Sequence, residues 1–478
     1  MQHSADIAIL GAGTAGLSAY RAARKHTERV LLIDPGPLGT TCARVGCMPS
    51  KLLIAAAEAA HEARHAGRFG VDALGVRIDG ERVMARVRSE RDRFVGSVLE
   101  GMRDIDAAHF LAGRARFTGP HTLQVAGPGD EAHVVRAERI VVATGARPEV
   151  PGAWRAALGE RLLVNDDVFE WSALPRSVAV VGAGVVGLEL AQALHRLGVR
   201  VRLLGRGRCA GPLTDPALAL VARRAFETAL PLELEAEVLS VARESGEVVL
   251  GWRSPAGERH ERFDFLLAAT GRRPNVDAIG LEHSGLAVGE HGVPQHDPQT
   301  GQAGASHVFV AGDAGDERPV LHEAADAGHI AGDNAGRYPA VVRHPRRTAL
   351  AIVFTEPQIA LAGHTHRELG AAGLAFATGR VSFEDQGRSR VIGRNLGALH
   401  VYAERNTHRL LGAEMVGPAA EHLGHLLAWA IGRGDTVDQV LAQPFYHPVI
   451  EEGLRTALRD LRRSLDHDPP CDDCRPGE

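Results

Sequence analysis

Asp6-Ile7-Ala8-Ile9-Leu10-Gly11-Ala12-Gly13-Thr14-Ala15-Gly16 decides the fold of this chain. The run Asp6–Leu10 has the length and apolar character of a short buried strand, and a glycine-rich turn, Gly11–Gly16, follows at once. Leu17–Lys25 then has the pattern of a helix and Val30–Ile33 that of a second strand, which makes one β-α-β unit. In such a unit the first glycine permits the turn, the second admits a pyrophosphate to the backbone, and the third lets helix and strand pack closely. Gly11, Gly13 and Gly16 hold those places, and the helix start behind them offers amide donors and a positive dipole end. Asp34 closes the second strand about 20 residues on, where a carboxylate can hold ribose hydroxyls.

The pattern returns at Ser177–Val181, with Gly182, Gly184 and Gly187 in the loop, Leu188–Leu197 as helix and Val199–Leu204 as strand. Two dinucleotide sites are therefore expected, although the second strand ends Gly205-Arg206-Gly207-Arg208 with no acid at the ribose position. Short strands ending in Ala-Thr-Gly also occur twice. Ile140–Val142 precedes Ala143-Thr144-Gly145, and Phe265–Leu267 precedes Ala269-Thr270-Gly271. Val308–Val310, followed by Ala311-Gly312-Asp313, is a further buried strand with an acid at its C-terminal edge. From about Thr348 the texture changes to alternating strands such as Ala398–Ala403, a helix around Ala419–Ile431 and a last helix from Glu451 to about Leu465. This reads as a separate α+β domain. Asp466–Glu478 is polar, carries Pro469, Pro470 and Pro476, and is expected to be a mobile tail.

At 478 residues the chain should hold about three domains. Its 55 glycines are many for a globular enzyme, and its net charge of −5 shows no strong bias. Neither a basic patch nor an acidic run points to nucleic acid or a membrane surface as the main partner. Met1–Asp6 is polar, no signal peptide is read there, and the protein is expected in the cytoplasm. Five cysteines are too few and too scattered for a secreted disulfide framework. A close pair in a reducing compartment points to catalysis or to metal.

The close pair is Cys42 and Cys47, in Thr41-Cys42-Ala43-Arg44-Val45-Gly46-Cys47-Met48-Pro49-Ser50-Lys51, just before a helix expected to begin near Ser50. Such a pair closes a disulfide if the first helical turn brings the Cα atoms within about 6 Å. A helix start also stabilises a thiolate at the second cysteine. Two other readings are two buried structural thiols and half of a zinc site. Zinc needs two further ligands, and His61 and His65, though one helical turn apart, lie beyond a long helical stretch. No metal site is expected. Near the other end, His447 stands five residues before Glu452 at the opening of the last helix. A carboxylate close behind a histidine can fix its tautomer and raise its basicity, which suits proton transfer to a redox pair.

In this combination the chain resembles dihydrolipoamide dehydrogenases, within the FAD-dependent pyridine-nucleotide disulfide oxidoreductases that include glutathione and mercuric reductases. The resemblance runs from Asp6 to about Leu465 and rests on the Cys-x4-Cys run ending Pro-Ser-Lys, the paired glycine loops, Gly312-Asp313, and His447 with Glu452. It implies an α/β fold with two Rossmann-like dinucleotide-binding domains and a C-terminal α+β dimerisation domain. The implied division is an FAD domain at 1–150, an NAD(P) domain at 151–277, a central domain completing the FAD domain at 278–347, a dimerisation domain at 348–465 and a tail at 466–478. It further implies a homodimer whose active site is shared between subunits and a lipoyl-carrying protein as partner.

The roles implied are these. Cys42 is the interchange thiol, Cys47 the charge-transfer thiolate beside the flavin, and His447 of the partner subunit the acid/base, oriented by Glu452. Lys51 pairs with Glu189 near flavin N5, and Val185 covers the nicotinamide pocket. Asp34 and Asp313 take ribose and ribityl hydroxyls, while the Thr144-Gly145 and Gly271 turns and Gly312 line the cofactor sites.

NAD-dependent relatives usually carry an acid where this chain has Gly205, and Arg206 and Arg208 suit bidentate contact with an adenosine 2′-phosphate. NADP is accordingly favoured over NAD, although Gly187 is the form more usual with NAD. The family's usual glycine and Leu-Asn are here Thr40 and Ala43-Arg44, which leaves the substrate open. The alternative is an NADPH-dependent reductase of another disulfide or of a metal ion, suggested by the tail pair Cys471 and Cys474. Mercuric reductases carry such a pair side by side and lack the His447 equivalent.

Overall fold

The computed structural model describes residues 1–129, 131–315 and 318–466. Cys471 and Cys474 lie outside the described residues, as does the expected tail apart from Asp466, which ends the last helix.

Gln2–Leu10 is the centre of the first sheet, parallel to Val30–Asp34 on one side and to Ala132–Val142 on the other. The order is Phe110–Ala112, Val30–Asp34, Gln2–Leu10, Ala132–Val142, Thr122–Ala126 and Arg114–Gly119, and Val308–Val310 pairs alongside Ala132–Val142. Strands covered on both faces read as unbroken apolar runs, and Ile7, Ala8 and Ile9 are fully buried. The first helix is Thr14–Ala23, capped by Gly13, and so starts three residues earlier than Leu17, the expected start. Gly16 belongs to its first turn because the close packing it permits is between that turn and the strand loop.

The second sheet has the order Leu232–Glu233, Arg200–Leu204, Ser177–Val181, Phe265–Ala268 and Leu162–Leu163, all parallel. Val185–Arg196 is its first helix. An antiparallel layer of Glu237–Glu244, Glu247–Ser254 and Gly257–Phe263 buries Trp252 and Phe263 against it. A two-stranded ribbon, Ala146–Pro148 with Arg272–Pro274, ties the two sheets together.

The third sheet is antiparallel, in the order Leu350–Val353, Gln358–Gly363, Leu410–Gly417, Ala398–Glu404 and Phe376–Ser382. Glu451–Asp466 covers it with Leu454, Leu458 and Leu461, a stripe at helical spacing.

One helix joins these parts. Cys47–His65 sets Leu53, Ile54 and Ala57 in a common core with Leu190 and Leu194 of the second dinucleotide helix and with Val353 and Ile359 of the third sheet. It begins at Cys47 and not near Ser50, and a separate short helix, Thr41–Val45, precedes it. Pro49 explains the difference, since proline sits readily in the first turn of a helix, where its missing N–H would have no partner. Among the described residues no helix is long and apolar enough to cross a membrane.

Candidate active site

Both cysteines lie in first helical turns. Cys42 follows Thr41 in the short helix, and Cys47 is the first residue of the long one. Gly46, with φ −123° and ψ −118°, breaks the chain between them. Thr40 caps the short helix, its hydroxyl accepting from Ala43 N at 3.3 Å, in a backbone conformation (φ 63°, ψ 147°) normally left to glycine.

The two thiols are unequal. A hydrogen bond from Cys42 stabilises the Cys47 thiolate; burial opposes this, the Lys51 charge and the backbone amide assist it, and the thiol falls to about 7. Cys42 moves up, first because it donates that bond and then through burial and the adjacent thiolate. Thiolate is the alkylating form, so iodoacetamide labelling of Cys47 in the dithiol protein should rise with pH to half its plateau near 7. At pH 6 the rate should be about tenfold below the plateau. Mass mapping across a pH series checks this, and a midpoint at an ordinary thiol value near 8.5 contradicts it.

Lys51, one turn beyond Cys47, reaches Glu189 at 2.7 Å. The other Glu189 oxygen accepts from the Phe354 amide at 2.9 Å, and Lys51 Nζ sits 4.7 Å from the centre of the Phe354 ring. Glu189 is buried. Both its oxygens are thus fixed, one by the cysteine helix and one by the residue that follows strand Leu350–Val353 of the third sheet. Phe354 was not named from sequence, because a backbone donor 165 residues away from Glu189 leaves no local signal.

The first glycine loop fits a dinucleotide. Gly11 has φ +105°, and a Cβ there would come within 2.4 Å of Ala143 O; one on Gly16 would meet Gly11 O at 1.8 Å. A side chain at Gly13 would project into open space, the side left for a phosphate. Asp34 accepts from Ala12 N and Gly36 N, each at 2.6 Å. Thr144 Oγ1 is buried with no hydrogen-bond partner among the described residues. Burial raises Asp313, against the opposing charge of Arg272. A buried hydroxyl with no partner among the described residues and a half-buried carboxyl raised by desolvation suit the polar hydroxyl-bearing chain of FAD. Gly145 and Gly271 make left-handed turns, at φ +68° and +135°, and Gly312 stands beside Asp313 at φ +69°.

The second loop repeats this geometry. A Cβ on Gly182 would lie 2.0 Å from Ala269 O and one on Gly187 1.8 Å from Gly182 O, while Gly184 faces open space and Val185 is exposed. At the strand end the two arginines separate. Arg206 is exposed, whereas Arg208 is paired with Glu235 at 3.0 Å.

His447 and Glu452 are joined, Nδ1 to Oε2, at 2.9 Å. The His447 side chain is 80% exposed, at the entry to the last helix. Arg455 donates to the second Glu452 oxygen at 2.8 Å. That contact was missed in the sequence although its signal, three residues along a helix, was present. His61 and His65 lie against each other with ring planes tilted by 36° and centres 4.1 Å apart, and no cluster of three or more metal-ligating side chains occurs among the described residues.

The family model for pyridine nucleotide-disulphide oxidoreductases matches residues 5–328, and that for their dimerisation domain matches residues 350–458. A dihydrolipoyl dehydrogenase of Haloarcula marismortui is 29% identical over 478 residues, covering 97% of this chain and 98% of that protein. A mercuric reductase of Streptomyces lividans is 32% identical over 463 residues, or 95% of each chain. Among solved structures, LpdA from Mycobacterium tuberculosis aligns with a TM-score of 0.81 at 27% identity, over 96% of this chain and 99% of its own.

Proposed function

The chain belongs to the pyridine nucleotide-disulphide oxidoreductase family, and we propose that within it the protein exchanges electrons between NAD(P) and a lipoyl-type dithiol through Cys42 and Cys47. It is a flavoprotein of a family that uses FAD with a pyridine nucleotide, and its dimerisation domain supports a homodimer. When bound, FAD supplies two-electron transfer between nicotinamide and the thiols.

The observation that carries the reading is the division of labour between the thiols. The hydrogen bond from Cys42 and the charge of Lys51, itself tied to Glu189, lower the Cys47 thiol to about 7 while Cys42 moves up, which supports Cys47 as the thiolate beside the flavin and Cys42 as the thiol proposed to meet substrate. Cys42 then needs a base to become nucleophilic. His447 of the partner subunit is proposed to take its proton, at Nε2, with Nδ1 tied to Glu452. The chain's division at residues 150, 277 and 347 is part of the same proposal, with the central segment returning Val308–Val310 to the first sheet.

Steady-state turnover of free dihydrolipoamide, glutathione and Hg²⁺, measured side by side, tests the substrate. Dihydrolipoamide should exceed both others by at least about tenfold in kcat/KM, since its second thiol completes the exchange intramolecularly at high effective concentration. A preference for Hg²⁺ would favour the second reading, a metal-ion reductase, which the Streptomyces lividans relative keeps in view. The His447–Glu452 pair favours dithiol chemistry, because metal-ion reduction does not call for a positioned base of this kind.

For the nucleotide, NADP is the proposed preference, read by Arg206. Arg206→Ala should lower kcat/KM for NADPH by about tenfold, the cost of one charge-assisted phosphate contact, and leave NADH within about twofold. NADH preferred at least about tenfold, with no effect of the substitution, reverses the reading.

A further inference from the structure

We infer that Glu235 sets the nucleotide specificity of the second glycine loop by holding down its affinity for a 2′-phosphorylated adenosine ribose. The inference deepens the proposed nucleotide reading and rests on it for the place of the adenosine ribose, at the end of Arg200–Leu204.

Backbone bonds lay the neighbouring strand against that place. Gly205 N donates to Glu233 O at 2.8 Å, Glu235 N to Gly207 O at 3.0 Å, and Ala236 N to Gly205 O at 2.9 Å. Residues 233–236 thus run along Gly205–Gly207, where a dinucleotide unit presents the side chain that reads ribose. Gly205 cannot itself bear an acid without repacking, because a Cβ there would come 2.7 Å from Leu234 Cδ2 and 2.8 Å from Ala183 Cβ. The acid of this edge comes instead from the bend that follows the adjacent strand Leu232–Glu233. Glu235 takes φ +57°, which turns it out of the extended course of Leu232–Glu233. Its carboxylate lies 3.0 Å from Arg208 Nε and 3.3 Å from Arg223 Nη1.

This carboxylate acts in two ways. It offsets the charge of Arg208, so that of the two arginines on the loop Arg206 alone offers a full positive charge. It also repels a phosphate monoester, which carries about −1.5 to −2 charge near neutrality, while it accepts hydrogen bonds from an unmodified ribose. The pull of Arg206 toward NADP is therefore opposed, from across the strand boundary, by a residue that a search at position 205 does not find.

Glu235→Gln in the holoenzyme removes the charge and keeps the size. Calorimetric titration at low salt should show adenosine 2′,5′-bisphosphate binding about three- to tenfold tighter, as expected for one unit charge lost a few ångströms away, with 5′-AMP changed by less than about twofold. The ratio of kcat/KM for NADPH over NADH should rise by the same factor, and both gains should shrink at about 0.5 M salt. Adding Arg208→Gln should cancel most of the gain. If the glutamine variant does not fold, Glu235→Asn, a side chain tolerant of left-handed backbone, takes its place.

The outcomes separate. Unchanged bisphosphate affinity in Glu235→Gln, with weaker binding in Arg206→Ala, overturns the role of Glu235 and leaves the nucleotide reading standing. Tighter binding in Glu235→Gln in an enzyme that still prefers NADH supports Glu235 and overturns the NADP preference. No effect of either substitution removes the ribose from this edge and overturns both.

Discussion

His447→Ala should lower dithiol turnover by about 10²–10⁴-fold while electron transfer from nicotinamide to an artificial dye stays within about twofold. The difference follows from where protons move. Dye reduction needs the nucleotide and flavin sites, whereas dithiol exchange needs Cys42 deprotonated, and its surroundings within one chain push that thiol up. On the proposed reading Glu452 orients that base. Desolvation is the largest single influence and acts to raise its carboxyl, but hydrogen bonds from His447 and the Val449 amide and the charge of Arg455 together hold it below the usual range. The carboxylate therefore stays ionised and keeps Nδ1 of His447 engaged, which reserves Nε2 for the proton of the proposed exchange. Glu452→Gln should cost less, about 10–100-fold, since it loosens the orientation and spares the base. Equal losses in the dithiol and dye assays would remove His447 from proton transfer.

The second large effect concerns the cysteines. Two-electron reduction of the wild-type holoenzyme should produce a long-wavelength absorbance band from a thiolate held against the flavin. Cys47→Ser should abolish the band, and Cys42→Ser should leave it present without any reduction, because Cys47 then has no partner with which to close a disulfide and stays a free thiol whose thiolate the Lys51 charge favours. Both variants should lose disulfide turnover by at least about 10³-fold, since neither can close the internal disulfide. The reverse behaviour of the two variants would exchange the assigned roles.

Much of this was legible in the chain itself, and the limits have physical causes. Both glycine loops announced themselves because their spacing reflects contacts within a few residues, as between Gly16 and Gly11 O. The third sheet was announced by the strand pattern after about Thr348, and the last helix, expected from Glu451 to about Leu465, runs Glu451–Asp466. The cysteine helix was expected to begin near Ser50 and begins at Cys47, with Pro49 inside its first turn, where a missing N–H costs nothing. Lys51 and Glu189 were found by resemblance, yet Phe354, which fixes the other oxygen of Glu189, acts through its backbone and has no side-chain signature. Glu235 was overlooked for a related reason. The acid was sought at the end of Val199–Leu204, while the carboxylate proposed for that role stands on a left-handed residue in the bend after the neighbouring strand.

The central claim, that electrons from a pyridine nucleotide reach the Cys42–Cys47 pair, is tested most directly by counting thiols. The oxidised holoenzyme is titrated anaerobically with one equivalent of NADPH, and in parallel NADH, then alkylated under denaturing conditions and mapped by mass. The account predicts that Cys42 and Cys47 pass together from unlabelled to labelled, with the flavin left oxidised at that stage. Bleaching of the flavin by the first equivalent, with Cys42 and Cys47 labelled no more than before reduction, would contradict it.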